Sequence, residues 1–197
     1  LDQEVISAYV MQIPEILNLL GEEGIYHLDL RCPNIGVDND KEGKLIKVMD
    51  FGCAMPNTVN ILPPEVYQTL PINYPPEIRA TGCPLNTLCD IYMAGKALEV
   101  MLTGEIEENV NDTLRNIRLR HELAEIPETF IQFLKAMIHP QPEKRVKDMI
   151  KLEDLAEEAV KDLDKQEIFN FQNFALVSAN QLHFMGSSSL ASFSYPT

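Results

Sequence analysis

Basic residues are scarce in this sequence: 16 Lys and Arg stand against 30 Asp and Glu in 197 residues, a formal charge of −14 with a pI near 4.6. That balance argues against a nucleic-acid or anionic-membrane surface, because neutralising phosphate takes clustered Lys and Arg. A partner with basic patches is the better electrostatic match. The four cysteines, Cys32, Cys53, Cys83 and Cys89, contain no Cys-x-x-Cys pair and have no His at zinc-ligand spacing, so reduced thiols in a cytoplasmic protein are expected. No apolar run is long enough to span a bilayer. The chain opens at Leu1 with neither an initiator Met nor a basic-then-apolar signal, and it reads as a soluble fragment or a chain whose start has been removed. Its length suits one domain, or one domain with an appendage.

Residues 5–20 place Val5, Ile6, Tyr9, Val10, Ile13, Ile16, Leu17 and Leu20 near helical spacing, with Gly21 and Gly24 at the end and Pro14 expected to kink the helix or start its second half. Two short β-like runs, "NIGV" and "KLIKVM", flank the turn-rich "DNDKEG" and predict a small hairpin. From Cys53 to Leu85 lie seven of the thirteen prolines and no sustained period, so a long ordered loop is expected there, and such loops are usually functional. Residues 87–104 are apolar on most sides, as in a helix at the centre of a domain. Pro127 opens a further helix with Phe130, Phe133, Leu134, Met137 and Ile138 on one face, and 151–167 carry an amphipathic stripe. Residues 168–197 contain no charged side chain but six Phe or Tyr, and a poorly ordered tail is expected.

Asp29 and Asn34 fall on a loop between the first helix and the hairpin, and Asp50-Phe51-Gly52 follows the second strand. Two acids and an amide on adjacent hairpin loops can converge on one point. Phosphoryl transfer needs that convergence: one carboxylate orients and deprotonates a hydroxyl, while a second carboxylate and an amide oxygen hold Mg²⁺ against the nucleotide.

These segments resemble the protein kinases. "HLDLRCPN" (27–34) is similar to the family's catalytic loop, which implies Asp29 as base and Asn34 as a metal ligand. "VMDFGCA" (48–54) is similar to its Asp-Phe-Gly segment, which implies Asp50 as the principal Mg²⁺ ligand. Residues 74–95 resemble the Ala-Pro-Glu end of an activation segment and the central-helix pattern after it, with Pro76, Glu77, Asp90 and Gly95 in register. An earlier Pro-Pro-Glu at 63–65 competes, and Glu77 is preferred for its distance to Asp90. "HPQPEKR" (139–145) resembles the late motif whose Arg pairs with the activation-segment Glu, so a buried Arg145–Glu77 ion pair is expected. By the same resemblance His27 and Phe51 stack as spine residues, and Asp90 bonds the catalytic-loop backbone.

Five motifs in the family's order carry far more weight than any one of them. Taken singly, Asp29, Asn34 and Asp50 are ordinary turn and capping residues. The resemblance implies a mainly α, kinase-like C-lobe over 1–150, with a small hairpin carrying the site and the N-lobe absent from this chain. ATP and Mg²⁺ are the cofactors it implies, and a protein substrate or a partner kinase is the implied partner.

The sequence also departs from the family. It has no Gly-x-Gly loop and no Val-Ala-Ile-Lys strand ahead of His27. Leu28 replaces the Arg that clamps a phosphorylated activation segment, although Thr58, Tyr67, Thr69 and Tyr74 remain modification candidates. Arg31 stands where Ser/Thr kinases generally carry a phosphate-contacting Lys; its guanidinium supplies charge in a longer, planar form. Two functions follow. One is phosphotransfer to a protein Ser/Thr hydroxyl with an N-lobe supplied elsewhere; the other is a catalytically inactive kinase-like binding module acting through the C-lobe.

Overall fold

The computed structural model describes residues 2–165 apart from 40, 42 and 123–125. The expected tail at 168–197 lies outside the described residues.

The first helix, α1 (Gln3–Glu22), starts where the Asp2 carboxylate accepts the Val5 N–H at 2.9 Å. It buries Ile6, Tyr9, Val10, Ile13 and Leu17 against the body. Pro14 neither ends nor divides it: α1 runs uninterrupted past a buried Pro14. The ring removes one N–H from the helical ladder, and apolar residues on both sides of it are buried on the same body.

Strand β1 (Ile25–Tyr26) follows, then the hairpin of β2 (Ile35–Asn39) and β3 (Lys44–Val48), in which Ile35 faces Val48 and Val37 faces Ile46. β4 (Met55–Pro56) returns to pair with β1. The free edge of β3 is covered by a side chain of α1. Gln12 donates from Nε2 to Lys44 O at 2.7 Å and accepts the Ile46 N–H at 3.0 Å, so the hairpin is tied to α1 through a strand-like pair of bonds.

The proline-rich stretch is more regular than its sequence suggests. Each Pro-Pro-Glu starts a short helix with proline at its first position, α2 (Pro64–Tyr67) and α3 (Pro76–Thr81). The fixed proline φ favours that start, and elements of so few residues show no periodicity to read. Gly82 closes α3 at φ +72°, where a Cβ would stand 2.5 Å from Leu62 O.

α4 (Thr87–Thr103), capped by Asn86, is buried on nearly every side. α5 (Val110–His121), α6 (Glu128–Ile138) and α7 (Met149–Leu163) pack around the body, with α7 against both α1 and α6. Gly95 allows the closest approach: a Cβ there would lie 2.4 Å from Ile138 Cγ2 and 2.9 Å from Met137 Cβ. Any side chain would force α4 and α6 apart.

α4 also holds two charges that its apolar character conceals. Lys96 Nζ meets Glu99 Oε2 at 2.8 Å, with both side chains essentially inaccessible, and also donates to Glu107 O. Glu99 Oε1 accepts from Glu107 N and Thr113 Oγ1, each at 2.7 Å. Burial raises the Glu99 carboxyl pKa, opposed by Lys96. The pair thereby fastens the loop after α4 and the start of α5 to the central helix. Among the described residues no helix is long and apolar enough to cross a membrane.

Candidate active site

The loop between β1 and β2 is held from beneath by α4. Asp90, wholly buried in the first turn of α4, accepts the His27 N–H at 2.7 Å and the Leu28 N–H at 2.8 Å. Burial pushes its carboxyl up to about 6, against the pull of those two amides. Leu28 is left-handed, at φ +58°, a conformation that costs an L residue on the order of 1 kcal/mol and persists only where its surroundings impose it. Its carbonyl accepts the Tyr74 hydroxyl.

His27 spans the two loops of the site. Its Nδ1 accepts the Asp29 N–H at 3.2 Å, and its Nε2 faces Met49 O at 3.2 Å, which assigns the proton to Nε2. Burial lowers the imidazole pKa, with Met49 O, Asp29 and Asp50 opposing. The ring meets Phe51 edge-on, with centroids 4.7 Å apart and planes at 61°.

The Asp29 carboxylate, 17% exposed, sits between two donors. Arg31 Nε lies 3.0 Å from Oδ1 and 3.2 Å from Oδ2. Asn34 Nδ2 donates to Oδ2 at 2.6 Å and to Asp29 O at 2.9 Å. With its amide nitrogen engaged in this way, Asn34 presents Oδ1 as its remaining polar atom.

The hairpin brings Asp50 alongside. The β2–β3 ladder extends by one bond, Met49 N to Asn34 O at 2.9 Å, so Asp50 follows the residue opposite Asn34. Asp50 is also left-handed, at φ +62°, and its Oδ1 accepts the Gly52 N–H at 3.1 Å. Asn34 Oδ1 and Asp50 Oδ2 are hard oxygens on adjacent ends of one hairpin. Mg²⁺ favours such a set, taking one or two protein oxygens and completing its shell with phosphate and water.

Other residues anchor the segment that ends near this loop. Arg145, with a fully buried side chain, grips Glu77 in a fork, Nη1 to Oε1 at 2.7 Å and Nη2 to Oε2 at 2.9 Å. Its Nε donates to His139 O at 2.6 Å, and its guanidinium lies 4.6 Å from the Tyr92 ring centroid. Glu65 of the earlier Pro-Pro-Glu is exposed. Cys32 is pushed up to about 12 by burial, and Cys53 is raised by burial and by Asp29 and Asp50; both thiols stay protonated and pack. His121 is the last residue of α5 but buried, its Nε2 at 2.8 Å from Leu102 O.

The family model for the protein kinase domain matches residues 1–162. The chain belongs to the protein kinase domain family. It is 33% identical over 116 residues to a probable serine/threonine-protein kinase of Clostridium acetobutylicum, covering 59% of this chain and 17% of that protein. It is 30% identical over 127 residues to the serine/threonine-protein kinase pakE of Dictyostelium discoideum, covering 64% and 13%. Against mitogen-activated protein kinase kinase kinase 4 of Mus musculus the identity is 35% over 111 residues, covering 53% and 7%. The chain therefore spans only a small part of the relatives it matches.

Two features of the kinase domain are not legible in the sequence as motifs. The left-handed Leu28 and the Tyr74 hydroxyl on its carbonyl have none, because the acceptor is a backbone atom 46 residues away. For Lys96 and Glu99 a signal exists, opposite charges at i and i+3 of a helix.

Proposed function

We propose that this chain is the C-terminal-lobe portion, residues 1–150, of a protein kinase domain that transfers the ATP γ-phosphate to a protein Ser/Thr hydroxyl. The observation that carries the proposal is the Asp29 carboxylate, fixed between Arg31 and Asn34 on a loop whose backbone Asp90 holds. Asp29 orients the incoming hydroxyl and takes its proton. Arg31 lends positive charge beside the transferred group. Asn34 Oδ1 and Asp50 are the protein ligands for Mg²⁺. When bound, Mg²⁺-ATP supplies the phosphoryl group and screens its charge. His27 and Phe51 brace the turn that aims Asp50, and Gly52 gives the N–H that orients its carboxylate. An N-lobe supplied from outside these residues closes the nucleotide's other side. Residues 151–167, most of which lie in α7, and residues 168–197 follow the lobe, and a cytoplasmic setting suits the protonated thiols.

Phosphotransfer to Ser- and Tyr-containing peptides by the full-length protein tests this. Asp29→Asn should lower kcat by about 10²–10⁴ with the fold intact. An unchanged rate in that variant would remove Asp29 from the chemistry.

One observation favours a second function. Leu28 is buried where the family's phosphate-clamping Arg stands, which suits a kinase-like module that docks a partner kinase through this lobe. In that case the full-length protein transfers no phosphate, and partner binding is indifferent to Asp29→Asn.

A further inference from the structure

Tyr74 lies just ahead of the second Pro-Pro-Glu, and its sequence context marks it only as a candidate for phosphorylation. The structure gives it a different place. Its side chain is 4% exposed and its hydroxyl points inward to Leu28 O. A buried hydroxyl already committed to a backbone acceptor is poorly presented to any modifying enzyme. The same burial raises the phenol pKa well above its ordinary value, with the Asp29 charge adding to the effect, so it stays a donor across the physiological range.

Leu28 immediately precedes Asp29, and its peptide groups are held from two sides. On one side Asp90 of α4 accepts the amides of His27 and Leu28. On the other, Tyr74 donates to the Leu28 carbonyl. Tyr74 is itself held: Arg79 Nε donates to Tyr74 O at 3.2 Å, and Arg79 Nη2 meets Glu108 at 3.3 Å. Three residues later Glu77 is locked by Arg145. A left-handed leucine needs support from its surroundings. Asp90 supplies it from the rigid central helix, and Tyr74 from the proline-rich segment.

We propose that Tyr74 is a positioning residue that couples the 53–85 segment to the orientation of Asp29. With the segment seated, the Tyr74 hydroxyl holds the Leu28 carbonyl and thereby the direction in which the chain enters Asp29. With the segment displaced, that bond is lost, and Leu28 is free to leave its left-handed conformation and turn the carboxylate off its target. The coupling needs no phosphate clamp, which fits the leucine at position 28. This inference rests on the assignment of Asp29 as base, but its structural half does not.

The test is Tyr74→Phe in the full-length protein, a change that keeps the ring and removes only the hydroxyl. Two quantities are read: kcat and KM for peptide phosphorylation, and amide hydrogen exchange over residues 27–29 and 88–102. The proposal expects kcat to fall about tenfold, the scale of one buried hydrogen bond, with KM for ATP unchanged. Exchange at 27–29 should quicken while 88–102 stays as protected as before. Unchanged kcat and unchanged exchange at 27–29 would overturn the coupling. Faster exchange throughout, central helix included, would also overturn it, by making Tyr74 a packing residue only. If the wild-type protein transfers no phosphate yet Tyr74→Phe still loosens 27–29 alone, the clamp on Leu28 stands and the base assignment falls.

Discussion

Asp29 and Asp50 flank the open end of one small hairpin, Asp29 ahead of β2 and Asp50 after β3, and the chain around each is held in a different way. Around Asp29 the restraints come from distant parts of the molecule: Asp90 on two amides, Tyr74 on a carbonyl, Arg31 and Asn34 on the carboxylate itself. Around Asp50 they are fewer and come from the hairpin and from His27, whose Nε2 faces Met49 O. Its carboxylate accepts from Gly52 two residues on, and Phe51 beside it is 49% exposed and touches the His27 ring edge-on. Leu28, just ahead of Asp29, and Asp50 itself are both left-handed, but only the first is supported from the central helix. The Asp29 end of the site is held by the fold on several sides, whereas Asp50 sits in a more exposed turn tied to that end through His27.

Perturbing each end should separate them. Arg145→Ala leaves Glu77 charged and part-buried and unties the segment that carries Tyr74; it should lower the unfolding free energy by about 3–5 kcal/mol in a urea titration. A loss under about 1 kcal/mol, the scale of an exposed pair, would mean that the far anchor contributes little to the Asp29 side.

Asp90 gives a pH-dependent contrast of somewhat smaller size. Its folded pKa is raised from 3.8 to about 6, so the folded chain binds this proton more tightly than the unfolded one. The stability it contributes is complete below about pH 4 and lost as pH rises through 6, a change of about 3 kcal/mol at most. The stability difference between wild type and Asp90→Asn should therefore move in favour of the wild type at pH 4 relative to pH 7. A pH-independent difference would contradict the buried, ionisable clamp.

The smallest effect belongs to the exposed turn. Phe51→Ala should change the unfolding free energy by about 1 kcal/mol or less, since the ring is half in water and makes one edge contact. A loss as large as that of Arg145→Ala would show that the turn is built into the core after all.

Four of the five long helices are visible in the sequence for a physical reason: α1, α6 and α7 each bury one stripe, and α4 buries almost everything, so apolar spacing marks them, whereas α5 buries only Thr113, Leu114, Ile117 and His121 and shows no such stripe. α2 and α3 are not visible, because a helix of four or six residues begun by Pro-Pro-Glu has too few turns to show a period. Asp29, Asn34 and Asp50 can be located through their order and their places at the hairpin ends, and Glu77 can be chosen over Glu65 by its distance from Asp90. What spacing does not convey is how the backbone between them is held. A carbonyl such as that of Leu28 is the same in every residue, and its partner is known only once the chain has folded.

The division between a base and a metal end is tested most directly by measuring the dissociation constant of Mg²⁺-ATP for the full-length protein, its Asp29→Asn variant and its Asp50→Asn variant. If Asp29 acts on the acceptor hydroxyl and Asp50 on the metal, Asp29→Asn binds within about threefold of wild type, while Asp50→Asn binds about tenfold or more weakly. Equal weakening in both variants, or none in either, would contradict the separation of roles.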